Sequence, residues 1–154
     1  MYEWALFLHL VGAIMFFAGI AVAAVAERAA RARRRPSEVA AVLGTARSGV
    51  LLVAVGLVLA VGAGFWLLEE TVYGFDGWVQ AALTLVVVSF VAGGIGGQGP
   101  KRARQLATRL AGEGDEPSPE LDAALRSRSG AAFNWVATAA AVGILVLMVW
   151  KPGA

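Results

Sequence analysis

Charged residues are almost absent from four stretches of the chain, residues 4–26, 48–68, 78–97 and 131–150, and crowd into the segments between them. Each stretch is about 20 residues, the length at which a helix rising ~1.5 Å per residue crosses a hydrocarbon layer of ~30 Å. Backbone groups inside lipid find no water, so apolar runs of this continuity predict helices rather than open strands, even through the β-branched LTLVVVSFV. Composition agrees, because 58% of the residues are hydrophobic and only 16% charged, where a soluble domain carries about 25% charged residues. The pattern predicts an all-α fold: one integral membrane domain over residues 1–154, an antiparallel four-helix bundle.

Charge placement orients that bundle. Of the 13 basic residues, 12 fall in two segments: Arg28, Arg31, Arg33, Arg34, Arg35 and Arg47 within 27–47, and Lys101, Arg102, Arg104, Arg109, Arg126 and Arg128 within 98–130. The remaining connection, 69–77, has three acids and no base. The positive-inside rule therefore predicts cytoplasmic loops at 27–47 and 98–130, an outer loop at 69–77 and both termini outside, in a bacterial inner membrane. Tyr2, Trp4, Trp66, Tyr73, Trp78 and Trp150 fall at the outer interface and Trp135 at the inner one, as amphipathic aromatics prefer. A cleavable signal peptide is the competing account of the first run. It is disfavoured by Glu3, by the length of the run and by the RARRR immediately after it.

Within the connections, Pro36 interrupts a basic, helical extension and Ser37 is placed to cap the next helical stretch. KRARQLATRL and LDAALRSR read as short helices at the membrane surface, flanking an acidic, proline-bearing and flexible GEGDEPSPE. Small residues recur at helical spacing: Gly12 and Gly19 on the first helix, Ala60 and Gly64 on the second, Ser89, Gly93 and Gly97 on the third. These mark faces where helices touch closely, within the bundle or against a second copy or a membrane partner.

Chemistry is sparse. There is no cysteine, hence no disulfide framework or thiolate site, and one histidine with three methionines makes too few ligands for a closed metal site. Gly94, Gly96 and Gly99 satisfy G-x-G-x-x-G, but the preceding run is a membrane span and not the strand a dinucleotide fold requires. The arginines lack interleaved aromatics, which excludes single-stranded nucleic acid as the partner. They suit anionic lipid at about 1 kcal/mol per residue.

His9 is the exception, an ionisable group inside a membrane span and so a functional candidate by default. Three roles compete. It could tie helices by an interhelical hydrogen bond; it could ligate haem iron opposite Met148; or it could carry protons with Glu69 or Glu70 and Gln80, since imidazole exchanges protons in the physiological range. No catalytic residue stands out. The leading expectation is a non-catalytic accessory or interaction subunit, then a haem-binding redox or porphyrin-handling protein, then a small transporter or proton conductor.

LHLVGAIMFFAG in the first helix, GGIGGQGPKR at the exit of the third and the ending MVWKPG resemble an uncharacterised bacterial family of small predicted integral membrane proteins, a domain of unknown function, across essentially the whole chain. More distantly, the first helix is similar to those of copper-resistance D proteins and HemJ-type protoporphyrinogen oxidases. That resemblance implies a haem-contacting or metal-contacting role for His9. With no second histidine, bis-histidine haem within one chain is excluded.

Overall fold

The computed structural model describes residues 1–70, 76–126 and 129–152, and all six elements among them are helical: α1 (Tyr2–Ala30), α2 (Pro36–Glu70), α3 (Gly77–Gly96), α4 (Gln98–Gly112), α5 (Pro119–Leu125) and α6 (Ser129–Trp150). Four of the helical runs are long and apolar enough to cross a membrane. Large apolar side chains such as Ile14, Val58, Phe90 and Val149 face outward, as a lipid solvent demands.

The bundle is two antiparallel pairs rather than four mutually packed helices, because extensive contacts among the spans join α1 to α2 and α3 to α6. The first seam is backbone against backbone. Gly12, Phe16 and Gly19 of α1 are buried against Gly49 and Gly56 of α2. A Cβ on Gly56 would lie 2.5 Å from the Phe16 nitrogen and 2.7 Å from the Gly12 oxygen, and one on Gly49 would lie 2.8 Å from the Gly19 oxygen. Only glycine permits this approach, and the dispersion gained replaces the hydrophobic drive that lipid lacks.

The second seam mixes small residues with hydrogen bonds. Ser89 donates from Oγ to the Ala137 carbonyl at 3.1 Å, and Gly93 sits against the Ala137 methyl. Gly97 does not belong to this contact: it terminates α3 as the C-cap, its nearest outside atoms being the Gly93 and Gly94 carbonyls of the same helix. The neighbouring Gly96 takes the role instead, pressed against Asn134 and Gly130 of α6. A four-residue spacing alone could not separate Gly97 from Gly96, because the helix ends between them.

The arginine-rich end is more ordered than its polarity suggests. The connection 27–47 is largely helical, as expected of the basic extension: α1 runs on to Ala30 and α2 begins at Pro36. Likewise 98–130 holds α4 and α5. Ala30, Val39 and Leu43 close a small core with Ala103, Ala107 and Leu121, so the apolar face of α4 is spent on protein. Ser37 does not cap its own helix. Pro36 starts the helix, where a missing N–H costs nothing, and Asp115 accepts from the Ser37 N–H at 2.7 Å and from its hydroxyl at 2.6 Å. Asp115 adopts φ 58° to do so, a left-handed turn that Asp tolerates better than most residues. The two bonds hold its carboxyl below the usual carboxylate range. The acidic segment is therefore docked on the first turn of α2.

Candidate functional site

The two helix pairs part at the end that carries His9, leaving a cavity of about 450 Å³ between them. Its walls come from all four spans and are overwhelmingly apolar: Leu6 and Phe17 of α1, Leu57 of α2, Val86 of α3 and Ile144 of α6 are typical. The size falls within the roughly 300–1,000 Å³ of small-molecule sites, and is about three times an engineered cavity of ~150 Å³ that accepts benzene.

His9 lines this cavity with its ring held in one orientation. Nδ1 lies 2.7 Å from the Ala60 carbonyl; a carbonyl only accepts, so Nδ1 carries the hydrogen and, in the neutral ring, Nε2 keeps the lone pair. Gly64, one turn further along α2, makes the room: a Cβ there would lie 3.3 Å from Nδ1 and 3.4 Å from Cε1. Ala60 and Gly64 thus form a notch for the imidazole as well as a contact between helices. A backbone carbonyl on one ring nitrogen is also how proteins aim the other nitrogen at a metal.

Met148 of α6 lines the same cavity, so the structure brings together the two residues of the haem expectation. It does not bring the acids. Glu69 and Glu70 are exposed at the end of α2, and neither they nor Gln80 reach the cavity. The Gln80 carbonyl accepts from Thr84 Oγ at 2.8 Å within α3, outside the lining. Below His9 the walls are Ala13, Phe16, Leu57 and Ile144, which offer a proton no path.

Sequence reasoning missed two features. Tyr2, Trp78 and Lys151, all at helix termini, line one end of the cavity, with Lys151 Nζ 5.7 Å from the centre of the Trp78 ring. No spacing carried that signal, because α6 ends at Trp150 and Lys151 follows it with a left-handed backbone, φ 40°. At the opposite end Glu27, assigned to a loop, lies within α1 and accepts from Asn134 Nδ2 of α6 at 3.3 Å, a polar tie between the two pairs. Among the described residues no group of His, Asp and Glu is arranged to hold a metal ion by itself.

Neither the curated proteins nor the solved structures include a match to this chain. A family profile does match, over residues 4–152. Its extent takes in nearly all of the four spans and every cavity-lining residue but Tyr2, and the chain belongs to the family described as predicted integral membrane protein, DUF2269.

Proposed function

We propose that this multi-pass membrane protein holds a hydrophobic ligand between its two helix pairs, with His9 as the group that recognises it. The observation that carries the proposal is the oriented imidazole on the wall of a ~450 Å³ apolar cavity. A helix-tying histidine would need the Ala60 bond and no cavity beside it. Haem is the ligand the residues fit: His9, through Nε2, and Met148, which shares the chamber, would hold it, and the apolar walls would exclude water from it. Bound there, haem would supply a redox couple tuned by the residues that hold it and by burial. The residues themselves bind, orient and desolvate.

The other roles lose support. The small-residue faces that suited an accessory subunit are used inside the chain, at the two seams. A proton conductor needs polar groups leading inward from His9, and the cavity has none there. The arginine distribution supports a bacterial inner membrane with α4 and α5 in the cytoplasm and anionic lipid around the exposed Arg28, Arg33, Arg34 and Arg47.

The test is an absorption spectrum of the protein in mild detergent, with and without added haem, beside the same titration of His9→Ala. A stoichiometric Soret band that shifts or disappears in His9→Ala is expected. A wild-type spectrum indistinguishable from haem in empty micelles would overturn the haem assignment.

A further inference from the structure

The cavity is polarised. Apart from His9 its inner walls are apolar, while its rim, the end at the helix termini, carries Tyr2, Trp78 and Lys151, and Lys151 is the single charged side chain among the described residues that line it. No acidic side chain is among the described residues that line it. On α1 the lining runs from Tyr2 to Phe17, about 22 Å at ~1.5 Å per residue, with His9 roughly 10 Å below Tyr2. The chamber is therefore an elongated slot with a cationic rim.

The backbone at Lys151 is the second observation. This residue ends α6 with φ 40°, in the left-handed region where glycine is the usual occupant, and its N–H still bonds the Leu147 carbonyl at 2.9 Å. A lysine there accepts strain that glycine would avoid. In return the Lys151 side chain lies at the cavity rim and over Trp78. Strained residues that persist at a ligand site point to a requirement for that side chain.

We propose that the cavity takes an anionic amphipath, whose apolar body fills the slot beside His9 and whose carboxylate or phosphate head meets Lys151 at the rim. This rests on the ligand-binding reading above and adds the charge and direction of the ligand. A buried apolar body supplies affinity in proportion to area. A charge-assisted hydrogen bond from the ammonium fixes which end stays at the rim. Two sources share this chemistry: a dicarboxylate porphyrin, and a lipid with a single acyl chain and an acidic head.

Matched pairs of probes separate charge from bulk. The protein in neutral detergent is titrated with protoporphyrin IX and with its dimethyl ester, and in parallel with cis-parinaric acid and its methyl ester, using probe fluorescence as the signal. Leu83→Trp, which fills the slot from α3, defines binding inside the cavity. The acid of at least one pair should bind about tenfold more tightly than its ester, the gap one charge-assisted bond of roughly 1.4 kcal/mol opens. Lys151→Met should close the gap, and Lys151→Arg should keep most of it. Whichever pair shows the gap identifies the source. Acid and ester binding equally to wild type, both blocked by Leu83→Trp, would overturn the anionic head and leave the ligand cavity standing. Signals that Leu83→Trp does not change, in both pairs, would overturn the cavity reading as well. Because the acid and ester are compared on wild type, a Lys151 variant that fails to fold does not leave the question open.

Discussion

At the scale of single residues, His9 and Asp115 show how one hydrogen bond decides a role. If the Ala60 contact were the reason for His9, losing it would matter to the fold. The Ala60 carbonyl sits in a helix and retains its helical partner, and an interhelical side-chain bond in a membrane averages about 0.6 kcal/mol. His9→Ala should therefore lower the melting temperature in detergent by only ~1–2 °C while abolishing ligand binding. A drop near 10 °C with binding retained would make His9 structural. Asp115 makes a different prediction, about pH. Its folded carboxyl titrates below the ordinary value because the Ser37 N–H and hydroxyl favour the charged form. The contribution of this tether is thus complete above the unfolded pKa of ~3.9 and lost as pH falls through the lower, folded one. The Ser37 amide resonance should report a titration midpoint below ~3.9; a midpoint at or above it would mean that the acidic segment is undocked in solution. His9 was legible in the sequence because an ionisable group in a span is conspicuous. Lys151 was not, because its place at the cavity depends on a left-handed turn that no spacing announces.

At the scale of the helix, the glycines divide into those that touch a neighbour and those that do not. Gly56→Ala puts a methyl within 2.5 Å of the Phe16 nitrogen and 2.7 Å of the Gly12 oxygen, backbone atoms that cannot swing aside. The pair must separate, and overpacking of this kind costs about 1–3 kcal/mol. Gly62→Ala on the same helix meets nothing within 4 Å. It should be neutral or slightly stabilising, since alanine is the better helix former by about 1 kcal/mol. Thermal unfolding of the two variants side by side checks both signs, and equal behaviour would contradict the α1–α2 seam. The four spans were legible because the lipid criterion acts on each run of residues independently. The helical character of their extensions was legible too, but the packing among those extensions was not. Ala30, Val39 and Leu43 are buried only because α4 and α5 fold back onto them, a consequence of long-range packing among residues that are individually small or moderately apolar. Asp115 reaches Ser37 from 78 positions away, beyond any local capping rule.

At the scale of the whole molecule, the distribution of charge and the shape of the cavity combine into one directional prediction. The arginine-rich end is tied together by the α2–α4–α5 core and by the Glu27–Asn134 contact. The His9 end is where the cavity lies between the pairs. With 12 of the 13 basic residues assigned to the first end, the membrane should hold that end in the cytoplasm. The ligand would then enter from the opposite side or from the outer leaflet. The cysteine-free chain makes this directly measurable, because any single cysteine is a unique label. Glu70→Cys and Glu116→Cys lie at exposed positions on the two ends. An impermeant maleimide applied to intact spheroplasts should modify the first at once and the second only after lysis. The reverse order would invert the molecule, placing Lys151 and the cavity rim on the cytoplasmic side. That would assign the ligand to a cytoplasmic source, although the geometry of the site itself would be unchanged.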